Sequence, residues 1–280
     1  MQKLIKKYFP LFVLPTLIAF AISFIIPFIM GVYLSFTEFT TVTNAKWVGF
    51  SNYAKLLNDK DFLNALWFTT KFTVISVISI NVIAFAFALL LTRKVKGTNM
   101  FRTIFFMPNL IGGIVLGYIW QLILNGLLFK FDVTLTVSPT YGFWGLVILM
   151  NWQLIGYMMV IYIAGLQNVP KDLIEAANID GATKFGILRN VTMPLVMPSI
   201  TICLFLTLSN SFKLFDSNLA LTAGAPMKQT TMLALDIYNT FYGKAGWEGV
   251  GQAKAVIFFV MVALIVLIQL LLTRRKEVES

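Results

Sequence analysis

Six apolar runs, each near the length of a membrane span, constrain this chain more than any other feature. They lie at Phe9–Phe36, Ala65–Thr92, Thr103–Leu124, Tyr141–Leu166, Leu195–Leu214 and Ala255–Thr273. A helix needs about 20 apolar residues to cross the hydrocarbon, and inside lipid it must satisfy its own backbone polar groups. The runs therefore predict an all-α, polytopic membrane protein with six transmembrane helices. A composition of 58% hydrophobic and only 12% charged residues excludes an ordinary soluble domain. The first run follows Lys3, Lys6 and Lys7, as a secretory signal would. It is too long for a signal's apolar region and no small-residue cleavage site follows, so an uncleaved first span is expected, bent at Pro15 and Pro27.

The net charge of +10 does not read as a nucleic-acid footprint, because Lys and Arg sit in clusters between the apolar runs. One set of alternate loops holds Lys3, Lys6, Lys7, then Arg93, Lys94, Lys96, Arg102, then Lys171, Lys184, Arg189, then Arg274, Arg275, Lys276. The other set is diluted by Glu38, Asp59, Asp61, Asp132, Asp236 and Glu248. The positive-inside rule predicts that the first set, and with it both termini, is cytoplasmic. The single cysteine, Cys203, rules out an intrachain disulfide, and with no histidine the common zinc chemistries are excluded. No Gly-x-x-x-x-Gly-Lys-Ser/Thr loop occurs, so no nucleotide site is expected in this chain. The expected partners are the lipid bilayer and other proteins, with no nucleic acid.

Between the fourth and fifth runs lies a small-residue-rich, partly charged segment, Glu175-Ala176-Ala177-Asn178-Ile179-Asp180-Gly181-Ala182, continuing to Pro194 and Pro198. Asp172 suits an N-cap with Glu175 reaching back to it, and Gly181 suits a helix stop. A second short helix is expected from about Thr183, ended by Pro194. Neither is long enough to span, so the segment reads as a surface helix–turn–helix whose Ala face docks on a partner.

Glu-Ala-Ala, Asp-Gly-Ala and Val-Thr-Met-Pro at this spacing resemble the coupling loop of ATP-binding-cassette (ABC) importer permeases. Further blocks resemble the carbohydrate-uptake branch: Leu34-Ser-Phe-Thr37, Phe101 to Pro108, Ala164 to Pro170, and Phe215-Asp216 with Leu221 to Pro226. Ala225 departs from the second glycine usual in that last block. The resemblance implies the type I ABC importer permease fold. It also implies a heterodimer with a second permease, two cytoplasmic ATPase subunits that bind ATP and Mg, and an extracytoplasmic sugar-binding protein. The place would be the bacterial cytoplasmic membrane. The pattern is nearer the first permease of such systems, because the chain stops soon after its last span at Arg274 to Ser280. On this reading residues 1–64 are the first span and an external segment. Residues 65–273 form the importer transmembrane domain, with a coupling loop at 167–194, and 274–280 a cytoplasmic tail. Glu175, Ala176, Ala177, Asp180 and Gly181 would couple to the ATPase. The chain would be no enzyme, with no catalytic residue, metal or cofactor of its own.

Polar groups inside spans are functional candidates because lipid makes them costly. Asn81, Gln121, Asn151, Gln153, Asn210 and Ser211 qualify, and Trp152, Tyr157 and Tyr162 supply flat faces for a sugar. The resemblance places Tyr157 at a sugar contact and Asn210, Ser211 and Leu214 around the equivalent stretch of the fifth span. The substrate-binding set is then Trp152, Tyr157, Asn210, Ser211 and Leu214. For each, interhelical hydrogen bonding or an interfacial aromatic belt is the competing reading. Lys213 and Asp216, three apart on one helix face near the outer end of the fifth span, read as a structural ion pair, with a substrate contact as the competing reading. The alternatives to a sugar permease are an importer of another solute, sharing the coupling loop, and an ion-coupled transporter, which would want mid-span carboxylates that this chain lacks.

Overall fold

The computed structural model describes Phe9, residues 13–93 and residues 97–274. The basic residues Lys3, Lys6, Lys7, Lys94 and Lys96 and the tail beyond Arg274 lie outside the described residues. Two compact units are present, one running to Asp59 and including Ile237–Phe259, the other comprising Lys60–Asp236 and the chain from Val260.

In the first unit, helix α1 (Val13–Leu34) carries a π-helical stretch at Ala21–Ile25. Pro27 stands in the turn that follows and has no N–H to donate back, so the ladder widens just before it. A two-residue hairpin, β1 (Thr37–Glu38) and β2 (Lys46–Trp47), pairs Thr37 with Trp47 and leads to helix α2 (Ser51–Leu57). Phe36 anchors it, with Trp47, Phe50 and Tyr53 rings 5.2–5.4 Å away. Buried Asn52 donates to the carbonyls of Ser35 and Thr37 at 2.9 and 2.8 Å, satisfying two turn carbonyls.

The second unit holds α3 (Lys60–Leu91), α4 (Thr98–Phe106), α5 (Gly113–Leu128), α6 (Pro139–Gln167), α7 (Lys171–Ile179), α8 (Lys184–Leu195), α9 (Met197–Phe212) and α10 (Asp216–Leu221). Helices α11 (Leu233–Gly243) and α12 (Glu248–Arg274) each run from one unit into the other. Among the described residues five helices have the length and apolarity of a span, and α8 with α9, bent by 71°, makes the sixth. Helix α6 is the hub. Its Leu146, Leu149, Met150, Met158 and Met159 are buried against neighbours that include α3 and α9.

Three local expectations are corrected. The third run does not open a span at Thr103. Pro108, with no N–H, sits in a 3₁₀ turn at Met107–Leu110, and Ile111 and Gly112 are extended, so the span begins only at Gly113. Pro194 does not end the helix begun at Lys184. A π-helical stretch at Leu188–Thr192 precedes it and absorbs its missing donor, and the break falls at Val196. Asp172 is not an N-cap. Pro170 takes that position without a side-chain bond, leaving Asp172 in the first turn, where a carboxylate is favoured by the helix dipole.

Candidate functional site

A cavity of about 480 Å³ opens where α6, the end of α9 and the start of α10 meet the turn before α5. Its polar lining is Gln153 and Tyr157 from α6, Asn210 from α9, Asn109 from the 3₁₀ turn, and Lys213, Asp216 and Ser217 from the α9–α10 junction. Met150, Leu154, Leu214 and Phe215 supply apolar faces. Convergent hydrogen-bonding groups beside flat apolar area suit a polyhydroxylated solute.

Of the five residues expected around a substrate, Tyr157, Asn210 and Leu214 line this cavity and Trp152 and Ser211 do not. Trp152 is an exposed residue whose ring packs against Trp120 at 5.7 Å. Ser211 is fully buried and donates to the Thr207 carbonyl at 2.7 Å. The helical repeat explains both. Trp152 lies five residues from Tyr157, about 140° around α6, and Ser211 is turned about 100° from Asn210.

The other polar span residues mostly tie helices together. The Tyr162 hydroxyl donates to Asn81 Oδ1, and Asn81 Nδ2 donates to Thr207 Oγ1 at 2.9 Å. Gln121 donates to the Leu221 carbonyl at 3.1 Å, and Asn151 to its own helix at Val147.

Lys213 and Asp216 form no ion pair, contrary to expectation; both face the cavity instead. Asp216 stands against the first residue of α5. A side chain at Gly113 would meet Asp216 Cβ at 2.8 Å and its Oδ2 at 3.4 Å, so glycine is what lets the carboxylate lie there. That end of α5 carries partial positive charge, which favours a carboxylate.

Buried Asn218 fixes the junction. Its Nδ2 donates to the Thr230 carbonyl at 2.8 Å and its Oδ1 accepts from Met232 N–H at 2.9 Å, closing the loop back onto α10. Its place in a polar block next to an apolar run was the only sequence signal for it. Asn109 followed a proline in a run read as span, which hid it.

The second feature is the α7–α8 turn. Glu175, Ala176, Asp180 and Gly181 are exposed, Ala177 half-buried, and Ile179 projects with 86% of its surface free. Gly181 has φ +78°, and Ala182 N–H donates to the Ala177 carbonyl at 3.0 Å while Gly181 N–H reaches Asn178 at 3.1 Å. These bonds are a Schellman closure, which satisfies the last carbonyls of α7. Thr183 Oγ1 accepts from Gly186 N–H at 3.1 Å and caps α8.

The probable starch degradation products transport system permease of Thermoanaerobacterium thermosulfurigenes is 47% identical, over 96% of this chain and 94% of that protein. The multiple sugar-binding transport system permease of Streptococcus mutans is 30% identical over 99% of both. Among solved structures, a chain of a bacterial ABC transporter involved in the import of the acidic polysaccharide alginate superposes with TM-score 0.81 at 22% identity, over 98% of both, and shares the fold. Residues 96–278 match the family of binding-protein-dependent transport system inner membrane components, and the chain is a member of that family.

Proposed function

We propose that this chain is the transmembrane subunit of an ABC importer that moves a sugar, a di- or oligosaccharide, into the cytoplasm by alternating access. The observation that carries the reading is one cavity in which Tyr157, Asn210, Gln153 and Lys213 converge beside Leu214 and Phe215. Hydroxyls need such donors and acceptors, and sugar ring faces need such apolar area. The sugar-transport descriptions of the two relatives above support it.

In this reading the exposed Glu175 helix docks on one of two ATPase subunits, with Ala176 and Ala177 allowing close approach and Gly181 making the turn. ATP and Mg are bound by those subunits, and this chain contributes no bond chemistry. A second permease completes the path, an extracytoplasmic binding protein delivers the sugar, and both termini face the cytoplasm.

The test is ATP hydrolysis by the co-purified complex in lipid nanodiscs, with and without binding protein and candidate sugars, for wild type and Gly181→Trp. Sugar-stimulated hydrolysis that is lost in a well-assembled Gly181→Trp complex is the expected result. Unchanged stimulation in that variant refutes the coupling role. A well-folded chain that never co-purifies with an ATPase refutes the importer reading and returns the ion-coupled transporter.

A further inference from the structure

The Lys213 ammonium and the Asp216 carboxylate share a cavity without pairing. Three residues apart on a continuous helix they would meet, but α9 ends at Phe212 and α10 begins only at Asp216. The turn between them sends Asp216 against Gly113 at the start of α5, where its Cβ would lie 2.8 Å from a side chain at that position. Ser217 donates to the Gly113 carbonyl at 3.4 Å, and Asn218 pins the following turn through Thr230 and Met232. These bonds fix the backbone that follows Asp216, and both Asp216 and Lys213 are exposed and present their charges to the cavity.

We propose that Asp216 is a specificity-determining residue that makes this cavity select neutral glycans over uronate-bearing ones. The inference rests on the sugar-import reading above. A lone lysine in a polar cavity attracts any carboxylate, since its ammonium is a strong donor and a full charge. Asp216 cancels that charge on the same wall without occupying the lysine's donors. A neutral sugar meets both groups favourably, accepting from Lys213 and donating hydroxyls to Asp216. A uronate brings a second carboxylate beside that of Asp216, and like charges brought together oppose binding. Asn109, Gln153 and Asn210 are neutral and leave this balance to the two charged side chains.

The experiment is equilibrium binding of two labelled trisaccharides of similar size, one all-glucose and one containing galacturonate, to the full complex in nanodiscs without binding protein. Wild type, Asp216→Asn and Lys213→Gln are compared, each first checked for assembly by size exclusion. Wild type should prefer the neutral glycan, and Asp216→Asn should shift the ratio towards the uronate by about tenfold or more. Lys213→Gln should weaken the neutral glycan and leave the uronate excluded. Should Asp216→Asn fail to assemble, Asp216→Ser is the substitute, with the same shift expected. An unchanged ratio in an assembled variant, or equal binding of both glycans by wild type, overturns the specificity role while leaving sugar import intact. Binding of neither glycan to any assembled form overturns both.

Discussion

The Tyr162 hydroxyl donates to Asn81 Oδ1 at 2.6 Å across the interface of α6 and α3. Asn81 passes the network on to Thr207 of α9 at 2.9 Å, so three spans are joined by two side-chain bonds in a site where water is excluded. A polar group at such a depth is stable only when satisfied, and here one asparagine uses both ends of its amide.

Tyr162→Phe should therefore destabilise without blocking transport. It leaves Asn81 Oδ1 without that donor, at a cost of about 1–2 kcal/mol on the scale of interhelical bonds in membranes. The thermal midpoint of the detergent-solubilised protein should fall, while uptake per folded molecule stays near wild type. A loss of uptake in a fully folded variant would move Tyr162 from scaffold to substrate path.

The ion pair of Lys254 gives a larger effect. Lys254 is fully buried, 2.8 Å from Asp59 Oδ2, and donates to Thr240 Oγ1 at 2.8 Å. Lys254→Met leaves the largely buried Asp59 short of its closest cation, and breaking such a pair costs about 3–5 kcal/mol. Asp59→Leu combined with Lys254→Met should recover most of that loss, since no buried charge is then stranded and Lys244, the second cation at 3.9 Å from Asp59, is partly exposed. Thermal unfolding of the single and double variants measures both.

Gly181 separates conformation from side-chain size. At φ +78° with open space around it, Gly181→Asn should be tolerated, because asparagine visits the left-handed region. Gly181→Val should cost about 1–2 kcal/mol of local strain and unwind the end of α7. Sugar-stimulated ATP hydrolysis should survive the first and fall in the second, with assembly followed by co-purification.

Leu214→Trp fills part of the 480 Å³ cavity with an indole. Uptake should drop by about tenfold or more while the complex assembles and hydrolyses ATP at its basal rate. Ser211→Ala is the matched control. It removes a hydroxyl bonded only within the bundle, so transport should be preserved in a transport assay run alongside.

Asn218→Ala should be more disruptive than its loop position suggests. It removes partners from the Thr230 carbonyl and Met232 N–H, both in a buried turn, at about 1–3 kcal/mol for each group left unsatisfied. A lowered melting temperature, with weaker glycan binding because Asp216 and Lys213 lose their framing, is the expected outcome.

The sequence by itself determined the spans and the turn at Gly181. Apolar runs must become helices in lipid because no other segment satisfies its own backbone there, and a glycine after a short helix closes it locally. Those are contacts between residues near in the chain, so they are legible without the fold. The sequence also carried the small-residue signature of the α7 helix, whose exposed face needs no tertiary partner within this chain. Tertiary structure decided which polar residue faces which space. Helix α6 is apolar almost all round, so nothing local tells Tyr157 from Trp152, and only packing against α3, α9 and the α5 turn does. It also decided that Lys213 and Asp216 stay apart. A pair three residues apart reads as joined, but the chain turns between α9 and α10 and Gly113 makes room for the carboxylate elsewhere. Pro108 and Pro194 changed meaning in the same way. A proline removes one donor, and whether that ends a helix, opens a 3₁₀ turn or is absorbed by a π stretch depends on the neighbours that hold the backbone.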